Sequence, residues 1–397
     1  MLVALFVTMA TQASSGDATP VGDADIVVIG KRLVDASNEL ANCIKRKCPT
    51  DQDVAATIKV VEMQFLAAEY RSARETLRRS ISRNRGQAKA YPLPVASLWR
   101  AKSKVEGHLG DYEGLRSGVL QSHQVLKAGL SADDPNLLGS LIELGDAQFH
   151  LGYWTFAEEH YRDAIARAER ANVLSIAAIA RYRLAGVIAR RDPNGPTIGD
   201  EKEVARVLAP LIGSTEPVYT RYDFIARLYK ARLAERRGAK GAVDAVFASL
   251  PKGITPPPIL LSSTPIKLPA YGKSDCVNEI FNATALTCGD ARNYVSNLQL
   301  EGQWIDVSFL IAPTGDVRDV DIVRKSPKYK GTWSDYVTRS IASRRYSAVP
   351  APKEGDAAGR YRVERFTLTA PYVDVTGTRL RVRDANVTVE TLDLTPG

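Results

Sequence analysis

The chain has 397 residues, 45% of them hydrophobic and 25% charged, a composition of globular domains and, at this length, of two or three of them. Lys and Arg number 53 against 45 Asp and Glu, for a net charge of +8, but the charges are spread along the chain without forming a basic block, so nucleic-acid binding is not indicated. Four cysteines are too few for a disulfide-dense scaffold, and no run approaches the roughly 20 apolar residues of a membrane-spanning helix.

Residues 1–20 begin MLVALFVTMA and pass into TQASSGDATP. A short apolar run leading into small residues has the form of a secretory signal segment, with cleavage near Thr11-Gln12-Ala13. The positive n-region is missing, and a buried N-terminal helix is the alternative. Residues 21–50 form an N-terminal arm in which Asp25-Ile-Val-Val-Ile-Gly30 reads as a short strand rich in β-branched residues. The cysteines fall as two local pairs, Cys43/Cys48 and Cys276/Cys288. An even count in an exported chain points to disulfides, and local pairing closes each loop at the smallest entropic cost. A metal site fits poorly: intervals of four and eleven residues with no nearby His are not ligand spacing.

From 51 to 250 the chain is rich in Ala, Leu and Arg with helical periodicity, and it repeats. The clearest copy has Leu144-Gly145, Gly152, Trp154, Ala157, Tyr161 and Ala164. Stepping back 42 residues gives Gly110, Tyr112, Leu115, Val119 and Ser122, and another 42 gives Ala68, Tyr70, Ala73, Leu77 and Ser80. A small residue at the turn lets the second helix start close to the first. The aromatic two later fills the wedge, Ala157 and Ala164 allow close approach, and Tyr161 occupies the gap to the next pair. This pattern resembles the tetratricopeptide repeat in a long-helix form. Copy four departs at Asp192-Pro-Asn-Gly-Pro196, and copy five turns at Arg237-Gly238 ahead of Val243, Val246, Phe247 and Leu250. The expectation is about ten helices in a right-handed solenoid whose concave surface binds peptide or protein.

Residues 251–297 begin with a proline-punctuated stretch, PKGITPPPILLSSTPIKLPA, which cannot continue a helix and marks a domain boundary. The Cys276–Cys288 segment follows. The domain from 298 to 385 changes period from 3.6 to 2. Ile305, Val307, Phe309 and Ile311 alternate with Trp304, Asp306, Ser308 and Leu310, so one face is expected to be buried. Ala312-Pro-Thr-Gly315 turns the chain, and Val317 to Val323 returns as a second strand with Val320 and Ile322 on one face. A helix with Trp333, Tyr336, Val337 and Ile341 on its apolar stripe comes next. Arg360 to Leu368 is the third strand, with a bulge expected where the phase slips between Val363 and Phe366. Residues 386–397 are left as a tail, with NVTVETLDL as a candidate extra strand.

Gly302, Val307, Phe309, Gly315, Asp319-Val320, Val323, Ser326, Tyr346, Pro350, Val363 and Phe366 in this ββαβ order resemble the C-terminal domain of TonB, the periplasmic energy transducer. The resemblance implies a periplasmic, envelope-associated protein whose exposed edge strand pairs with an extended receptor peptide by β-augmentation. It points to Tyr361, Val363 and Phe366 as interacting residues. The run holding Ile26, Val27 and Val28 in turn resembles the Ton box of TonB-dependent receptors, which implies self-association. The chain departs from TonB in lacking a spanning helix and a long periplasmic rod.

No catalytic constellation is present. His108, His123, His150 and His160 form no metal-binding pattern, and there is no Gly-rich phosphate loop or nucleophile elbow. Asp319 and Asp321 read as a solvated pair, and Arg344-Arg345 as surface charge. The sequence therefore describes an α+β multidomain protein: an all-α tetratricopeptide solenoid followed by a small ββαβ, TonB C-terminal-like domain. It is read as no enzyme, with no cofactor, no metal, no nucleic acid and no small-molecule substrate. Its expected partners are envelope proteins, among them TonB-dependent outer-membrane receptors. Two functions follow: an accessory of TonB-dependent transport that grips a strand, or an envelope adaptor working through its solenoid.

Overall fold

Leu33, Ala36, Leu40 and Cys43 recur at the spacing of one helical face, and in the computed structural model they are the buried or half-buried residues of α1, Asp23–Arg46. The structure describes residues 23–192, 195–250, 258–269, 294–295, 300–347, 359–374 and 381–395. The signal-like segment 1–20 and the Cys276/Cys288 pair lie outside the described residues. Ile26, Val27 and Val28, expected in a strand, are residues of α1. The periodic stripe downstream nucleates the helix, and each residue added upstream gains a hydrogen bond, which outweighs the modest preference of β-branched residues for extended backbone.

Ten further α-helices run to residue 250 among the described residues: α2 (Thr50–Leu66), α3 (Tyr70–Asn84), α4 (Pro92–His108), α5 (Tyr112–Gly129), α6 (Pro135–His150), α7 (Trp154–Arg170), α8 (Leu174–Ile188), α9 (Ile198–Leu208), α10 (Pro217–Arg236) and α11 (Ala242–Ala248). They pack as successive pairs, α2/α3 through α10/α11, with α2 also against α4, α6 against α8 and α8 against α10. One turn recurs along the array. Lys47, Ala68, Gly110, Gly152, Asn172 and Gly238 all have left-handed backbone, with φ between 54° and 95°. In each, the next amide reaches back to a carbonyl five residues earlier, as Asp111 N does to Glu106 O at 2.8 Å and Tyr153 N to Gln148 O at 2.9 Å. This helix ending satisfies carbonyls that would otherwise be orphaned and starts the next helix after about three residues. The sequence landmarks Ala68, Gly110 and Gly152 are therefore backbone positions before they are packing positions.

Packing within a pair is tightest at Gly145 of α6. A Cβ there would lie 2.5 Å from the ring of Tyr161 on α7, so only glycine admits the ring. Tyr161 thus fills the gap inside its own pair rather than the gap to the next one. Ala157, Ala164 and Ala168 on α7 are fully buried, as are Ala177, Ala178, Ala180 and Ala185 on α8. At the break in copy four, Thr197 caps α9 by accepting from Asp200 N, while the Asp200 carboxylate accepts from the Thr197 amide at 2.8 Å.

The terminal unit contains β1 (Leu260–Ser262), β2 (Tyr294–Val295), β3 (Trp304–Ile311), β4 (Val317–Lys325), α12 (Trp333–Ala342), β5 (Arg345–Tyr346), β6 (Arg360–Thr369), β7 (Tyr372–Asp374), β8 (Arg381–Asp384) and β9 (Thr388–Asp393). Its main sheet is antiparallel in the order β4-β3-β6-β9, with a small β2-β8-β7 sheet and a β1-β5 pair beside it. Ile305, Val307, Phe309, Ile311, Phe366 and Leu368 meet Trp333, Val337 and Ile341 of α12 in one core. Gly315 must be glycine: its φ is +85°, and a Cβ would lie 2.0 Å from the Tyr346 carbonyl oxygen.

Four expectations change here. The second half of the proline-rich stretch is not a free linker, because Ile259 O accepts from Ser347 N at 2.8 Å, Thr264 O accepts from Ser340 Oγ at 2.6 Å, and Leu260, Ile266 and Leu268 pack on the core. The bulges lie in β4 and not in β6, which pairs without a slip with β3 from Trp304↔Thr367 to Ile311↔Arg360. The extra β4 residues sit where Asp306/Val307 and Ser308/Leu310 of β3 lose register, and Asp319 there takes a positive φ of 49°. The apolar phase slips in β6 because both sheet faces are buried: Asp306, Ser308, Val363, Arg365 and Thr367 on the second face are buried too. Finally, the segment expected as a tail is β9, the fourth strand of the sheet.

Candidate protein-interaction surface

Stacked helix pairs place the first helix of each pair beside the first helix of the next, so side chains from α2, α4, α6, α8 and α10 line a face continuous across repeats. Charges ladder along it. Arg100 of α4 meets Glu143 of α6 at 2.8 Å, and Arg183 of α8 meets Asp146 of α6 at 3.3 Å. Lys104 sits among Glu143, Glu62 and Arg100. Burial is the main cause that holds its ammonium below the ordinary lysine range, with the Arg100 charge adding to it and the two carboxylates opposing. Asp146 also accepts from the Tyr161 hydroxyl at 2.6 Å. Burial raises its carboxyl above the usual range, against the opposing effects of Arg183 and of that hydrogen bond, and burial likewise pushes the Tyr161 phenol up.

A second feature lies at the turn of copy three. Tyr153 and Phe156 are exposed, Phe156 by 56%, and with Glu113, Arg116 and Gln148 they line a shallow depression. The aromatic that opens each second helix also has a different partner here. Tyr70 stacks on His108 at 4.9 Å and Tyr112 meets His150 edge-on at 5.0 Å, each 38 residues further along. For Trp154 that position is Asp192, in the breaker cluster, so no ring of the following repeat stands at the equivalent place and Trp154 packs edge-on against Phe149 instead.

Three of the histidines hold packing roles. His108 and His150 make the ring contacts just described, and His123 Nδ1 lies 2.7 Å from Ser140 Oγ. Ser140 Oγ donates to the Leu137 carbonyl at 2.6 Å, so His123 serves as donor to the hydroxyl and does not act as a base on it. Among the described residues no group of three His, Cys, Asp or Glu is placed to hold a metal, and no helix is long and apolar enough to cross a membrane.

Cys43 and Cys48 form a disulfide across the α1–α2 turn, with Cα atoms 5.2 Å apart. Of the residues expected on the third strand, Val363 and Phe366 are buried, and only Tyr361 is exposed. The β6 edge they belong to is occupied by β9, in register from Glu364↔Asp393 to Thr369↔Thr388. Pairing continues at Val363, whose carbonyl accepts from Leu394 N at 2.8 Å and whose amide donates to Thr395 Oγ1 at 3.2 Å. The free edges of this sheet are therefore β4 and β9, with β6 covered from Val363 to Thr369. The β4 edge carries exposed Arg318, Asp319, Asp321 and Lys325, charges that discourage strand addition.

Arg344 and Arg345, read as surface charge, separate. Arg345 is exposed and pairs with Asp316, whereas Arg344 is 1% exposed. Arg344 Nη1 meets Glu364 Oε1 at 2.9 Å, and its guanidinium lies over the Phe309 ring at 5.3 Å. The chain turns inward on leaving α12, and the long aliphatic stem of Arg344 fills the core edge. Sequence reasoning also missed Asp306. Its buried carboxylate accepts from Arg365 Nε and Nη2, at 2.7 and 3.0 Å, and from Arg324 at 2.7 Å. Cross-strand register would have revealed it, since Asp306 stands opposite Arg324 on β4 and Arg365 on β6.

No family model matches the sequence, and no curated protein matches it. Among solved structures, the chain is similar to the kinesin light chain TPR-like repeats of Podosopora anserina at 14% identity and a TM-score of 0.38, covering 50% of this chain and 93% of that one. BtubC (BKLC) from P. vanneervenii is similar at 11% identity and a TM-score of 0.42, over 58% of this chain and 94% of that one. A STAND protein with a tetratricopeptide repeat sensor from Pyrococcus horikoshii is similar at 14% identity and a TM-score of 0.39, over 57% of this chain and 34% of that one. The helix pairs and turns described above, rather than these likenesses, define the repeat array in this chain.

Proposed function

We propose that this protein is a protein-binding scaffold of the cell envelope, working through the face of its helical array. The observation that carries the reading is the closed edge of β6. The resemblance places a captured strand along β6, and here β9 already fills that position from Val363 to Thr369. The array, by contrast, presents a continuous face of paired charges together with exposed aromatic side chains.

The antiparallel β4-β3-β6 order, with α12 between β4 and β6 in the chain, supports kinship of the terminal unit with the TonB C-terminal domain. With β9 in place, that kinship is one of architecture and does not bring receptor binding with it. An exported, periplasmic location is part of the proposal, and the local Cys43–Cys48 bond supports an oxidising compartment.

A photo-crosslinking amino acid at Tyr182 on α8, or at Glu390 in β9, tests this in the full chain inside the cells that make it. The scaffold reading predicts protein adducts from position 182 and none from 390. Adducts from 390 alone, and to outer-membrane receptors, would replace it with the transport reading.

A further inference from the structure

Residues 258–269 lie on the terminal unit as a bound peptide lies in a groove. They run past β5 and then α12 in the reverse direction, and three serines read their backbone. Ile259 N donates to Ser347 Oγ at 3.0 Å, and Ile259 O accepts from Ser347 N at 2.8 Å. Thr264 N donates to Ser343 Oγ at 2.8 Å, and Thr264 O accepts from Ser340 Oγ at 2.6 Å. Leu260, Ile266 and Leu268 are the anchors packed on the core, while Ser262, Thr264, Pro265 and Lys267 are exposed. Main-chain bonds with apolar side chains at intervals are how a recognition groove holds an extended segment, and prolines lower the entropy lost on binding.

The walls of the groove do not depend on this strap. Trp333, Val337 and Ile341 fix α12 against the sheet, with Trp333 Nε1 donating to Gln303 Oε1 at 3.0 Å. On its other side β5 is held by the hairpin, where Tyr346 N donates to Gly315 O at 2.8 Å and Arg345 bridges to Asp316. The strap itself is held lightly. Its ladder with β5 has two residue pairs, Leu260↔Tyr346 and Ser262↔Arg345, and loses register between them. Its three anchors are only half-buried. A segment with so little enclosed side chain opens well before the core does.

We infer that the groove between α12 and β5 is a peptide-binding site held closed in cis by residues 259–268. The ligand it takes is an extended, proline-bearing segment of a partner protein, with Leu or Ile at the anchor positions. The strap is the template for that ligand: Lys267 is the one ionic side chain between 258 and 269, and the bonds to the three serines are all made by the strap's backbone. This site goes beyond the scaffold reading and does not depend on it.

The probe is a fluorescein-labelled peptide of residues 258–269, titrated with the full chain and followed by anisotropy. I266S/L268S weakens two anchors of the strap and leaves the groove intact, with slow hydrogen exchange of β3 as the check. It should bind the peptide about ten-fold or more tighter than the natural chain does, because the cis competitor is weakened. Adding S343A/S347A, which removes two acceptors from the groove, should weaken that binding by about ten-fold or more, and a scrambled peptide should not bind. In the natural chain, about millimolar peptide should displace the strap and speed exchange at residues 259–264, a readout that needs no variant. Equal affinity of the natural chain and I266S/L268S, equal binding of the scrambled peptide, or unchanged exchange at 259–264 would each overturn the assignment. Adducts from position 182 are indifferent to these results, so the scaffold reading stands or falls separately.

Discussion

The array and the terminal sheet bury different things. The array's interior is lined with alanines, seven of them fully enclosed on α7 and α8 alone, and the charges it buries are carboxylates, Asp53, Glu106 and Asp200. The sheet encloses Arg344, Arg365 and Arg383, each tied to a named acceptor: Glu364, Asp306 and the Ala370 carbonyl. Small residues let helices approach by shape alone, so stability there is a sum over similar interfaces. A buried guanidinium is tolerated only with its partner in place, so the sheet holds together as one unit. The comparison also assigns roles. A surface built from repeated interfaces can vary its outer residues freely, whereas a sheet buried on both faces leaves a partner only its β4 and β9 edges.

The largest effect that would sharpen this contrast is Asp306→Ala. It strands Arg365 and Arg324 without their shared carboxylate and should cost the terminal unit about 3–5 kcal/mol. Hydrogen exchange should accelerate across β3, β4 and β6 while the array stays unchanged. Acceleration in both regions would show that they do not fold as separate units.

Next comes Gly145→Ala in the array. The added methyl meets the Tyr161 ring, and overpacking of this kind costs about 1–3 kcal/mol. The denaturation midpoint of the helical signal should fall, with the terminal unit unaffected. A neutral result would mean that α6 and α7 slide apart cheaply, against the close packing described here.

How far these features could be read from sequence follows the same division. The Ala68/Tyr70, Gly110/Tyr112 and Gly152/Trp154 spacings were legible because one turn is used repeatedly and these three uses set a left-handed residue two before an aromatic. The strand alternation from Ile305 to Ile311 was legible for the helix-facing side. Alternation cannot show that the opposite side is also covered, so Asp306 was read as outward and the phase slip at Val363 as a bulge. The Asp25–Gly30 run was misread because six β-branched and small residues look alike locally in a strand and in a helix. Only the stripe from Leu33 to Cys43 decides between them. The β9 strand, a candidate in sequence, gained its meaning only from pairing, which no local pattern encodes.

A smaller effect of opposite sign should come from Ala68→Gly. Ala68 holds φ at +60°, where a Cβ is unfavourable, and glycine should stabilise the α2–α3 turn by about 0.5–1 kcal/mol. A raised midpoint in urea checks this. A lowered one would mean that the alanine methyl contributes packing that outweighs its backbone strain.

The smallest expected effect is pH dependence confined to the array. Burial, reinforced by the charges of Lys127 and Arg167, holds His123 below the ordinary histidine value of 6.5, and burial does the same for His160. The unfolded chain then binds more protons than the folded one as pH falls through about 6.5, so the array should lose stability on mild acidification. His123→Gln should flatten that loss, read as the slope of the unfolding midpoint against pH between about 7 and 5.

The central claim is that partners engage the helical array while β9 keeps the β6 edge closed. Hydrogen–deuterium exchange on the full chain, alone and with a captured partner, tests it most directly. The account predicts slow exchange at residues 363–369 and 388–393 in the free protein, unchanged on binding, with new protection confined to α6, α8 and α10. Rapid exchange of β9 in the free protein, with protection of β6 gained only when the partner binds, would contradict it.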